Sequence, residues 1–91
     1  MIEDVYMELK RLGAVKSSNE FSKYWLGMEK SYLRTMKAKN RKPSARVLAH
    51  VAVKLKADGQ RLEKNSNPKI ATAGQYFLRL ADNCINEILK G

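Results

Sequence analysis

The sequence predicts a small all-α domain of about five helices, with a helix-turn-helix in its middle and a long C-terminal helix. Ala, Leu, Lys, Glu and Met recur throughout, and no run of β-branched or aromatic residues alternates with polar ones as a strand would. Apolar residues return at three- and four-residue spacing in separate blocks. Ninety-one residues, 44% of them hydrophobic and only two of them proline, suit one compact unit with a modest core.

Ile2, Val5, Tyr6, Leu9 and Leu12 trace a first helix within residues 1–14, which Gly13 can close in the left-handed conformation. Ser17 stands three residues before Glu20, a capping-box spacing that opens a second helix carrying Phe21, Trp25 and Leu26. Gly27 permits a tight turn. From Glu29 the spacing resumes with Leu33 and Met36, predicting a third short helix whose other face holds Lys30, Ser31, Arg34, Thr35 and Lys37. Glu29 is expected to cap that helix, and its alternative role is to accept from a cytosine amine. After the basic loop Lys39–Lys42, Pro43 disfavours helix and Ser44 can cap a fourth helix built on Val47, Leu48, Val51 and Leu55. Asp58-Gly59 is a plausible stop, yet Leu62 lies one heptad after Leu55, so the helix can also run on through Gly59. Beyond "NSNP", residues 68–90 predict one long helix with a stripe of Ile70, Ala73, Phe77, Leu80, Cys84 and Ile88. That stripe either closes the chain's own core or, through Ile70, Phe77, Leu80 and Ile88, joins two copies in a homodimer.

The net charge of +9 is unevenly placed: residues 15–64 carry thirteen bases and four acids, while both ends are nearly balanced. Six lysines and arginines fall between Lys30 and Lys42 with no acid among them. Such a concentration points to a polyanionic partner, against the plainer reading of a solvated helix face.

Two short helices joined by a glycine turn, the second of them basic outside, match a helix-turn-helix. The stretch "SSNEFSKYWLGMEKSYLRTMKAKNRKPSARVLAHVAVKL", residues 17–55, resembles the phage-repressor-like helix-turn-helix family, with Gly27 at the turn, "SYL" in the recognition helix and "KPS" after the basic loop. It is also similar to short bacterial proteins with the pattern "FS..WLG…SYLR", a resemblance that implies no function. The family commonly has an apolar residue five positions before the turn glycine and a small one four before it. Here Ser22 and Lys23 stand there and Phe21 comes one position early, so the second helix is expected to be longer or rotated. The resemblance implies base contacts from Lys30, Ser31, Arg34 and Thr35. Phosphate contacts would come from Lys37, Lys39, Asn40, Arg41, Lys42 and Ser44, with free amides at the start of the fourth helix as an additional anion site.

Other chemistry finds little support. The lone Cys84 has no partner for an internal disulfide and no clustered histidines for a zinc site, and His50 lies among apolar residues with no acid or cysteine placed to orient it. No glycine-rich phosphate loop, carboxylate pair or Ser/His/Asp arrangement suggests an enzyme, a cofactor, a metal or a small-molecule substrate. The N-terminus lacks a signal peptide's basic start, and no apolar run reaches membrane-spanning length, so a cytoplasmic protein is expected. The expectation is a sequence-specific regulator of transcription bound to double-stranded DNA. Its rival is an adaptor that binds an acidic protein partner through the basic patch and C-terminal helix. RNA binding is less favoured because the aromatic residues read as core.

Overall fold

The computed structural model describes residues 2–90. Among them the order is α1 (Ile2–Arg11), α2 (Ser18–Glu20) running directly into a π-helical turn (Phe21–Trp25), α3 (Tyr32–Ala38), α4 (Ala45–Glu63) and α5 (Pro68–Lys90). The chain is all-α and belongs to one packed unit.

α1 buries Ile2, Val5 and Leu9, with Glu3 and Asp4 in its first turn and Lys10 and Arg11 in its last, as the helix dipole favours. It ends in a Schellman motif: Gly13 takes φ +77°, its N–H donates to Lys10 O, and Ala14 N–H donates to Leu9 O. Val15 then drops into the core. The Ser17 hydroxyl accepts from Glu20 N–H, the first half of the capping box expected there.

α2 does not continue as an α-helix. Leu26 N–H donates to Phe21 O at 3.1 Å, five residues back, so the turn holds one residue more than an α-turn. Phe21, Trp25 and Leu26 are all buried on the inner side of this wider turn. Gly27 follows at φ +66°, and the His50 ring leaves no room beside it: a Cβ there would sit 2.8 Å from His50 Nε2. α3 ends as α1 does, with Asn40 at φ +51° and Arg41 N–H donating to Met36 O.

α4 begins where Ser44 accepts from Val47 N–H, and it runs unbroken through Gly59, which settles the two readings of its end. The reason lies on the next helix. α5 returns along α4 after a four-residue link, and the backbones come so close that a Cβ on Gly74 would lie 2.7 Å from Gly59 O and 2.5 Å from Glu63 N. Neither position has space for a side chain without movement, so Gly59 serves packing rather than termination. Pro68 occupies the first position of α5, and the Asn67 side chain accepts from Lys69 N–H to cap it.

The core draws on every element but the short α2: Val5 and Leu9 from α1, Phe21 and Trp25 from the π-turn, Leu33 from α3, Val51 and Leu55 from α4, Phe77, Ala81 and Cys84 from α5. The Trp25 ring meets Phe77 edge-on at 5.7 Å between centroids, and Tyr6 meets Phe21 at 5.3 Å. The α5 stripe therefore faces inward. Phe77 is 4% exposed, Leu80 and Ile88 pack half-buried against the core, and only Ile70 stays at the surface.

Candidate nucleic-acid interface

α3 is held from beneath by two groups. Leu33 is buried, and its N–H donates to the buried Ser22 hydroxyl at 3.0 Å. An N-terminal helix amide is thereby satisfied from the preceding helical turn rather than by a cap on α3 itself. The expected cap does not form. The Glu29 carbonyl accepts from Tyr32 N–H at 3.0 Å, while its carboxylate accepts from the Ser31 hydroxyl two residues on. Local spacing pointed to Glu29 because it could not show that Ser22 reaches the same helix end. Met36 is half-buried, as is Tyr32, whose phenol is pushed up from its usual pKa by burial.

α3 starts at Tyr32 and not at Glu29 as its spacing predicts, so Lys30 and Ser31 lie in the turn before it; with Leu33 inward, Arg34 and Thr35 face away from the core. Lys30, Arg34, Thr35 and Lys37 are exposed, and Lys39, Asn40, Arg41 and Lys42 continue the exposed surface through the loop. Among the described residues none of these six cations enters a salt bridge; the ion pairs lie elsewhere, at Arg11–Glu8 and Arg61–Asp58. Ser31 is half-buried, and its hydroxyl hydrogen is engaged by Glu29. Ser44 is exposed but its oxygen caps α4. Asn40 owes its place partly to backbone conformation, since it supplies the left-handed residue that closes α3.

Two further residues of this surface and its support lie outside the basic run. Arg46 is exposed in the first turn of α4, separated from Lys42 by the Pro43-Ser44 boundary that hid it from a reading by charge runs. Ser22 carried a visible signal, as the unexpected residue before the turn glycine, but its partner Leu33 is remote in sequence.

A second surface has another character. On α4, Lys54 lies 3.7 Å over the ring of the exposed Tyr24, and next to it Val53 is 70% exposed. The indole N–H of Trp25 is buried there without a hydrogen-bond partner among the described residues. A cleft of about 590 Å³ lies by the basic loop, floored by Ile2, Pro43, Leu48 and Ile88. Its rim mixes Arg41, Lys42 and Lys90 with Glu3 and Glu87, so it selects no single charge.

Cys84 is fully buried and its thiol is pushed up to about 11 by desolvation, the state of an unreactive core residue. Among the described residues no three His, Cys, Asp or Glu side chains group to hold a metal ion, and no helix is long and apolar enough to cross a membrane.

Neither a curated protein nor a solved structure matches the chain. A family signature does match, over residues 2–90, and by that span the chain belongs to the family of unknown function DUF6626.

Proposed function

We propose that this protein binds double-stranded DNA sequence-specifically and regulates transcription by occupying an operator, with α3 as the helix that enters the major groove. The observation that carries this reading is the division of α3 into two sides. Leu33 and the Ser22 hydrogen bond anchor one, while Arg34 and Thr35 on the other, together with Lys37 at the helix end, Lys30 in the turn before it and Lys39, Arg41 and Lys42 after it, form an exposed strip whose six cations enter no salt bridge among the described residues. The π-turn supports the same reading. Its one extra residue offsets the early position of Phe21, so that Phe21 and Leu33 both reach the core on either side of Gly27.

In this reading Lys30 and Arg34 donate to guanine O6 and N7, and Thr35 contacts either base type. Lys37, Lys39, Arg41, Lys42 and Arg46 bind phosphates, with the first amides of α4 beside them. Ser44 contributes by capping α4 more than by contact. The second reading is the adaptor, and the observation favouring it is the mixed surface of Tyr24, Val53 and Lys54, whose exposed apolar area suits a protein better than a phosphate backbone.

Selection from a random duplex library at two salt concentrations tests the proposal. An enriched motif is expected, and Arg34→Ala should relax preference at particular base pairs by about 1–3 kcal/mol. Retention without enrichment would reduce the activity to nonspecific binding, and no retention at low salt would remove DNA as the partner.

A further inference from the structure

We propose that Glu29 is a specificity-determining residue which accepts a hydrogen bond from the exocyclic amine of a cytosine, with Ser31 holding its carboxylate in place. The inference rests on the DNA reading above and assigns a base to one part of that site.

Glu29 is the only acid between Glu20 and Asp58, and it stands at the head of the most basic segment of the chain. It is exposed, and its carbonyl joins it to the first turn of α3 through Tyr32 N–H. Residues at the N-terminus of a recognition helix are those that reach base edges. A carboxylate in that position weakens attraction to every duplex, because it opposes the phosphate charge. The usual structural reason for an acid there is a helix cap, and that role is already filled for Leu33 N–H by Ser22. Nor does Glu29 neutralise a neighbouring cation, since among the described residues it forms no salt bridge.

The contact it does make is informative. The Ser31 hydroxyl donates to the Glu29 carboxylate, so the oxygen of Ser31 is left with lone pairs and no hydrogen to offer. Ser31 alone would be permissive, able to donate or accept. Together the two residues present acceptors only. In the major groove guanine offers N7 and O6 acceptors, and thymine offers an O4 acceptor and a methyl group, so both are refused. Adenine has an amine, but its N7 acceptor lies beside it and repels a second acceptor. Cytosine has its N4 amine without that neighbour, and carboxylates accept from it. The guanine paired with that cytosine then shows O6 and N7 to the exposed donors nearby, Lys30 and Arg34. Glu29 thus converts a general attraction for DNA into a requirement for one C·G pair.

Duplex selection with the parent chain, Glu29→Ala, Glu29→Gln and Ser31→Ala decides the matter. The parent should enrich a motif with a cytosine that Glu29→Ala no longer requires, its preference there falling by about tenfold while the remaining positions stay selective. Glu29→Gln should move that position toward adenine, because an amide can donate to N7 and accept from N6. Ser31→Ala should blur the same position less. Selectivity at the other positions serves as the control for folding. Should both Glu29 variants keep the parental motif and gain affinity for all duplexes alike, Glu29 only repels phosphates and the proposal fails. A parent chain that enriches no motif at all would instead bring down the DNA reading, and Glu29 with it.

Discussion

Ser22 and Leu33, eleven residues apart, share a buried hydrogen bond in which the Leu33 amide donates to the Ser22 hydroxyl at 3.0 Å. Ser22 has no exposed surface, so its removal leaves an amide that water cannot reach without opening the structure. We expect Ser22→Ala to cost about 1–3 kcal/mol and to loosen α3 before the rest of the fold. Urea denaturation together with hydrogen exchange at Leu33 checks this. A variant of parental stability with the Leu33 amide still protected would show that the bond holds nothing.

The approach of Gly59 and Gly74 is tight but unequal. A Cβ at Gly74 meets backbone atoms of Glu63 and Gly59 at 2.5–2.7 Å, whereas at Gly59 the nearest atoms are Gly74 O and the Leu78 side chain, all at 3.0 Å. Alanine raises helix propensity by about 1 kcal/mol at either site. Overpacking of about 1–3 kcal/mol opposes it, and backbone cannot move aside as a leucine tip can. Gly74→Ala should therefore destabilise clearly and Gly59→Ala much less, a ranking that thermal melts of the two variants will read directly.

Arg41 and Lys42 sit on the exposed loop after α3, and the phosphate contacts proposed for them would position the protein without reading sequence. Replacing both by alanine should weaken binding to all duplexes equally and flatten the salt dependence by about one unit of slope per lost contact. Fluorescence anisotropy across a salt series measures it. Parental affinity and slope in the double variant would remove the loop from the interface.

Phe77 is 4% exposed and lies edge-on to Trp25, so it belongs to the core of the single chain. Phe77→Glu should unfold the protein rather than release folded monomers, and Phe77→Ala should cost about 3–5 kcal/mol. Pairing of two copies through α5 then depends on what remains outside, chiefly Ile70, Ile85 and Leu89. Sedimentation equilibrium of the parent and of Leu89→Glu tests that pairing. A dimer in the parent that survives Leu89→Glu would place the contact on another surface.

How much of this was visible in the chain depends on where each decision is made. Gly13, Ser17, Ser44 and Pro68 mark helix ends through their own backbone or a neighbour three residues away, and the sequence announces them. Whether Gly59 ends α4 is decided by Gly74 on another helix, so the local signal was evenly balanced. The head of α3 turns on the same kind of remote partner: Glu29 stands at a capping distance, but the Leu33 amide is satisfied by Ser22, eleven residues back. The basic residues were legible because charge needs no partner to be seen, and the exposure of Arg34 and Thr35 follows from the spacing of Leu33 and Met36, whereas the late start of α3, which leaves Lys30 in the turn before it, has no local signal.

The Cys84 thiol has its pKa raised from 9.0 to about 11 by burial. Below about pH 9 both folded and unfolded chains keep the proton, and stability is unaffected. Between 9 and about 11 only the unfolded chain loses it, so stability falls with rising pH through that window. Tyr32, also raised by burial, adds to the loss in the same direction. Urea titrations at pH 8, 9.5 and 10.5 should show the decline, and Cys84→Ala should make it shallower. The thiol should also resist alkylation at pH 8 at any rate faster than unfolding.

The extra residue between Phe21 and Leu26 acts as a shim. Length has been taken up inside a helix, with Phe21 and Leu26 both seated in the core on either side of it. A π-turn changes register inside a helix rather than in a loop, and this one ends two residues before the Gly27 turn that aims α3. Relatives one residue shorter in this stretch would form a plain α-turn and still bring α3 to the same place. Any gap that separates such chains belongs among the exposed Lys23 and Tyr24, not in the loop at Gly27, whose φ of +66° favours glycine and where an added Cβ would crowd the His50 ring.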